Sequence, residues 1–180
     1  MSECLYDISI ERTDGCPTTL ADYQGKVLLL VNLSRQCFLT SQCQGLQQLH
    51  EVRSAEGLVV LGFPTKDFDH LATGRSRDVS TSAYDDLTFP VFSEITAVDA
   101  HKHALYRNLI EARPWATGEG PMRTLLLHAD IELYPPPELL WNFEKFLVAR
   151  DGTVSMRFTP DVEADDWRLL DAIERELRRR

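Results

Sequence analysis

The chain has 180 residues, of which 43% are hydrophobic, 26% charged and 9% aromatic, a composition that fits one globular domain over residues 1–180 and excludes a disordered chain or a collagen-like fibre. With 19 basic against 28 acidic residues the net charge is −9, which argues against a nucleic-acid surface or an anionic membrane as partner. No apolar run approaches bilayer length, and the start, Met1-Ser2-Glu3-Cys4, lacks a basic segment followed by a hydrophobic one, so a cytoplasmic protein without membrane insertion is expected.

Tyr6, Ile8 and Ile10 alternate with polar residues ahead of the turn pair Asp14-Gly15, which predicts an N-terminal β-hairpin or edge element. Val27 to Val31 is a continuous apolar run of strand length, as expected of a central strand buried on both faces. A polar loop with Cys37 follows, then Leu46, Leu49 and Val52 at helical spacing between about Ser41 and Glu56, with Gly57 as the stop. Leu58 to Phe63 reads as a second buried strand, closed by Pro64. This strand, loop, helix, strand order puts Cys37 at the carboxyl end of a central strand, where open α/β sheets bind their ligands.

Further on, the pattern predicts a helix around Arg77 to Asp86, a short strand over Phe89 to Phe92 and a helix over Ala104 to Ala112. Pro114 to Leu140 reads as a loop or inserted excursion, with one short element over Arg123 to His128. Phe146 to Val148, Asp151-Gly152 and Val154 to Phe158 form a hairpin signal. A final amphipathic helix is expected from Val162 to Leu177 with Trp167, Leu170, Ile173 and Leu177 on its core face, and the basic run Arg178 to Arg180 suits the negative end of its dipole.

Three separated segments resemble the glutathione peroxidase family. They are Gly25-Lys26-Val27 through Val31-Asn32 with Cys37, Thr40, Gln42 and Gly45-Leu46; Gly62-Phe63-Pro64 with Phe68; and Trp141-Asn142-Phe143-Glu144-Lys145-Phe146-Leu147-Val148. Phe89-Pro90 and His103 to Tyr106 align in the same order. The resemblance implies an α/β, thioredoxin-like fold with a central mixed sheet flanked by helices. It also implies peroxide reduction: Cys37 attacks the O–O bond as a thiolate, becomes a sulfenic acid and is recycled by a thiol such as glutathione or thioredoxin, with no bound cofactor or metal. Trp141, through its indole N–H, and Asn142, through its amide, match the family's donors to the sulfur. Two such bonds, each about 1.5–3 kcal/mol, are enough to bring a thiol of pKa about 8.5 below neutrality.

The sequence departs from the family at two points. Where the family has a Gln before the position of Phe68, this chain has Asp67, and the preceding Asn is replaced by Lys66. A carboxylate roughly 6 Å from the sulfur, at an effective dielectric of about 20, opposes ionisation by about 3 kcal/mol. Pairing with Lys66 or Arg35, protonation of Asp67, or its turning away would each relieve this. The segment Asp69 to Leu87, where many thioredoxin-dependent members carry a resolving cysteine, has none. Cys43, six positions after Cys37, would lie about 9 Å away along a continuous helix, beyond disulfide reach, so an external thiol is the favoured reductant.

The remaining candidates have plainer readings. Four unevenly placed cysteines make no disulfide scaffold; Cys43 reads as core, Cys16 as a loop residue, and Cys4 carries no supporting signal. His101 with His103, and Cys43 with His50, fall short of a metal site. The excursion over residues 114–140 is a candidate homo-oligomer interface or an ordinary surface loop. Against the peroxidase stands a second class, a thioredoxin-fold redox sensor or binding module in which Asp67 has lowered turnover.

Overall fold

The computed structural model describes residues 4–34, 37, 39–71, 84, 86–118 and 121–179. Strands β1 (Ile10–Glu11) and β2 (Pro17–Thr18) pair antiparallel as the expected N-terminal hairpin. The main sheet comprises β3 (Val27–Leu33), β4 (Leu58–Pro64), β5 (Lys145–Val148) and β6 (Val154–Phe158), in the spatial order β4-β3-β5-β6. The β3–β4 pair is parallel, while β3–β5 and β5–β6 are antiparallel. The helices are α1 (Gln42–Arg53), α2 (Ala104–Ala112), α3 (Pro121–His128) and α4 (Trp167–Arg178).

The unbroken apolar run of β3 follows from burial on both sides. Leu28 and Leu30 pack with Tyr106 and Leu109 of α2, Met122 and Leu126 of α3, and Trp141. Val27, Leu29, Val31 and Leu33 instead pack with Leu46 and Leu49 of α1 and Leu169 and Ile173 of α4. Successive side chains on a strand alternate faces, so a strand between two helical layers is apolar on both, and its one polar residue, Asn32, is bonded to the segment over residues 141–143. The β5–β6 turn uses Gly152 at φ +85°, where Thr153 N donates to Asp151 Oδ1 at 2.9 Å; an added Cβ would lie 2.6 Å from the Tyr6 ring.

Several expectations shift. Phe89 to Phe92 forms only single-residue bridges, Val91 with Gly62 and Phe92 with Arg12, because Pro90 has no N–H to continue a ladder. The short element near Arg123 is α3. The final helix starts at Trp167 rather than Val162, with Asp166 capping it through Arg168 N at 2.8 Å. Its buried face is Leu169, Ala172, Ile173 and Glu176, and Trp167, two residues or about 200° from Leu169, is 73% exposed rather than core. The basic end is spent on ion pairs, Arg178 with Glu174 and Arg179 with Glu176. The helix expected around residues 77–86 lies largely outside the described residues.

The excursion over residues 114–140 is tied to the sheet by a backbone bridge between Thr117 and Phe158 and by a buried ion pair. Arg157 Nε donates to Glu144 Oε2 at 2.7 Å, with side chains 3% and 1% exposed. Its Nη1 donates to the carbonyls of Pro114 at 3.0 Å and Pro137 at 2.8 Å, and Nη2 to that of Glu138 at 2.9 Å. The guanidinium also lies 5.3 Å from the Phe146 ring centroid, and Glu144 Oε1 accepts from Leu140 N. Arg157→Met, which strands a buried carboxylate, is expected to cost about 3–5 kcal/mol in urea denaturation; a loss below about 1 kcal/mol would show that the pair does not hold the segment.

Candidate active site

Cys37 sits half-buried between the end of β3 and the start of α1, and packs against both apolar layers. A run of tight turns holds it. Leu39 N donates to its Sγ at 3.4 Å, Thr40 N to its carbonyl at 3.0 Å, and Thr40 Oγ1 to the carbonyls of Cys37 at 2.6 Å and Ser34 at 3.1 Å. The turns continue into α1 through Gln42 N to Leu39 O and Cys43 N to Thr40 O.

Trp141 and Asn142 reach this loop from a segment clamped to β3. Asn32, fully buried, donates through Nδ2 to Trp141 O at 3.2 Å and accepts Phe143 N at its own carbonyl at 2.8 Å. Phe143 is thereby held at φ +68°, a left-handed conformation that few non-glycine residues adopt. The kink turns Trp141 and Asn142, each 2% exposed, toward the sulfur, and Phe68 backs the indole at 5.1 Å between centroids.

The electrostatics of the thiol are a balance. Burial pushes the Cys37 pKa up and prevails; the Leu39 N–H, the Trp141 indole and the Asn142 side chain pull it down, and Asp69 adds a smaller upward push. The expected drop below neutrality is therefore not reached in the resting site. Trp141 Nε1 and Asn142 Oδ1 are buried with no hydrogen-bond partner among the described residues. An indole N–H so placed beside a thiol gains its acceptor when the sulfur becomes anionic.

The Asp67 carboxylate is bound locally: its Oδ2 accepts from Thr65 Oγ1 at 2.5 Å and from Ala97 N at 2.6 Å. Burial raises its pKa while these two bonds oppose the shift. Lys66 pairs with Glu94 at 2.9 Å. The carboxylate that most raises the Cys37 pKa is Asp69, which accepts from Ser34 Oγ at 3.3 Å. Nothing in the sequence alone marks Asp69 for this part. Asn32, Gln42 and Lys145 are likewise not singled out by the sequence as individual actors; for Asn32 and Lys145 the signal is a polar residue inside an otherwise apolar, doubly buried strand.

Cys43 is buried on α1, its thiol pushed up to about 11 by burial and by Cys37; Cys4 and Cys16 are exposed. His103 caps α2 by accepting Leu105 N at 3.2 Å, and His50 Nδ1 accepts Val60 N at 3.3 Å.

A single thiol in a loop after the central strand, flanked by an indole and an amide from across the sheet, defines a thioredoxin-fold thiol enzyme. The pattern of the glutathione peroxidase family matches residues 5–110. The thioredoxin/glutathione peroxidase BtuE of Escherichia coli (strain K12) is 35% identical over 179 residues, covering 97% of each chain. The hydroperoxy fatty acid reductase gpx1 of Synechocystis sp. is 34% identical over 90% of each. Among solved structures, Trgpx in its apo form superposes with a TM-score of 0.73 at 26% identity, over 98% of this chain and 97% of that one. A thioredoxin family thiol:disulfide interchange protein from Chlorobium tepidum TLS shares the fold, with a TM-score of 0.55 at 14% identity over 98% and 99% of the two chains.

The chain belongs to the glutathione peroxidase family, the thiol-dependent peroxidases of the thioredoxin fold.

Trp141→Phe and Asn142→Ala each remove a group that favours the thiolate. Each is expected to move the pH profile of Cys37 alkylation by iodoacetamide to higher pH; a profile unchanged in both variants would remove these residues from the sulfur's environment.

Proposed function

We propose that Cys37 is the peroxide-reducing thiol, with Trp141 and Asn142 stabilising its anionic forms and Asp67 shaping the adjoining corner. The observation that carries this reading is the buried Trp141 N–H beside the sulfur, a donor whose acceptor arises during the reaction. The Cys37 sulfur attacks one peroxide oxygen; an S–O bond forms, the O–O bond breaks, and the sulfur is oxidised by two electrons. The departing alkoxide or hydroxide takes up the thiol's proton and leaves as alcohol or water. The Trp141 N–H and the Asn142 amide stabilise the negative charge on sulfur as the proton leaves.

A reducing thiol then attacks the sulfenic sulfur, and the hydroxyl leaves as water with that thiol's proton. A second thiol attacks the mixed disulfide and frees Cys37. The reductant is glutathione or thioredoxin, both present in the name of the Escherichia coli relative. The peroxide is hydrogen peroxide or an organic hydroperoxide, in line with the fatty acid reductase name of the Synechocystis relative. An external thiol is favoured over Cys43, whose burial and high pKa keep it a poor nucleophile. No resident cofactor or metal takes part in this scheme.

Among the described residues no helix is long and apolar enough to cross a membrane, and free cysteines suit the cytoplasm, where glutathione and thioredoxin keep thiols reduced. Trp115, Leu125 and Leu127, all within residues 114–140, are 70%, 53% and 54% exposed, which supports this excursion as a homo-oligomer contact.

Steady-state peroxide reduction with glutathione or thioredoxin as electron donor tests the scheme. Cys37→Ser is expected to abolish turnover, and Cys43→Ser to retain it. Asp67→Gln should change the rate little, since the Asp67 carboxylate is bonded to Thr65 and Ala97. A large gain from Asp67→Gln, with little turnover in the unaltered protein, would favour the redox-sensor reading instead.

A further inference from the structure

Lys145 is fully buried on β5, where its strand neighbours are Val31 and Phe158. Its Nζ donates to three oxygens, and none is a carboxylate: Phe143 O at 2.7 Å, Gln42 Oε1 at 2.9 Å and Pro160 O at 3.3 Å. Gln42, itself buried, begins α1 directly after the Cys37 turn, and its Nε2 donates to Pro160 O at 2.8 Å. Phe143 follows the Trp141-Asn142 pair, and its N–H is already bound by Asn32. One amine thus spans the two segments whose spacing decides whether the donors meet the sulfur.

We propose that Lys145 is a positioning residue for the peroxide-reducing thiol, its ammonium fixing the Cys37 turn against the Trp141-Asn142 donors through simultaneous bonds to Gln42 and to the Phe143 carbonyl. The inference rests on Cys37 being the reacting group. An ammonium has three N–H donors for these three acceptors, whereas a neutral amine has two and turns a lone pair toward an oxygen. Positioning of this kind matters steeply, since a misplacement of about 1 Å costs on the order of a hundredfold in rate.

Burial lowers the Lys145 pKa from 10.5 to about 7, against the opposing pull of Glu144 beside it and of Asp161, Glu163 and Asp166 from the loop leading into α4. Glu144 is engaged by Arg157, and the α1 group facing the amine is the neutral Gln42. The three-donor form is therefore lost as pH rises through about 7. Stability moves the other way: the folded pKa lies below the unfolded one, the unfolded chain binds more protons between them, and this group's contribution to stability rises with pH across that window. Positioning and stability are thereby separable.

The test is the second-order rate of Cys37 oxidation by hydrogen peroxide, measured from about pH 5.5 to 9 for the unaltered protein and Lys145→Met, with thermal melting in parallel. The unaltered protein is expected to react about tenfold faster than the variant at the acidic end, the ratio falling toward one with an inflection near 7 while its melting stability relative to the variant rises with pH. A ratio that is flat with pH, or that falls only in step with melting stability, overturns the proposal. If Lys145→Met does not fold, Gln42→Glu puts a carboxylate against the amine and should move the inflection upward; an unmoved inflection overturns it equally. An unaltered protein no faster than a free thiol would instead sink the reading that Cys37 reacts, and the inference with it.

Discussion

A guanidinium and a carboxylate buried side by side hold each other in place, because removing either leaves a charge in a medium that does not solvate it. Arg157 and Glu144 make that constraint here. With its remaining N–H groups on the carbonyls of Pro114, Pro137 and Glu138, Arg157 closes the long excursion onto the edge hairpin. Glu144 in turn binds Leu140 N, and the next residue is Trp141. The ion pair therefore determines where the indole enters the site.

From that anchor the chain is kinked at Phe143 and bound on the other side by Asn32 and Lys145. Two consecutive charged residues, Glu144 and Lys145, thus act in opposite layers, one with the excursion and one with the start of α1. The corner around Cys37 is assembled from polar residues that a purely apolar core would not have required. What they supply is directional: a carbonyl or amide accepts hydrogen bonds from few angles, while packing alone tolerates slippage.

Much of this could be read from the chain. The apolar runs at Val27 and Leu58, the Asp151-Gly152 turn and the order of elements mark an α/β sheet, because period and turn chemistry are local properties, and the family resemblance narrows it to the thioredoxin-like one. Cys37, Trp141 and Asn142 were found through the family resemblance, and the structure brings them together across β3. Two features stayed hidden because they depend on tertiary partners. The phase of α4 turned on where Asp166 caps it, which moved Trp167 to the surface. The bonds of Asp67 depended on Ala97, thirty residues away.

The resting site leaves the thiol above its ordinary pKa, with an unmatched N–H beside it. Such a site gains its power when charge develops on the sulfur rather than by storing a ready thiolate. The most direct measurement is the stopped-flow rate of hydrogen peroxide with fully reduced protein, with mass spectrometry locating the sulfenic acid and Cys37→Ser as control. Oxidation confined to Cys37 and faster than a free thiol of equal thiolate fraction by about a hundredfold or more is expected. A rate matching the free thiol, or oxidation shared with Cys4 and Cys16, would contradict a catalytic role for this cysteine.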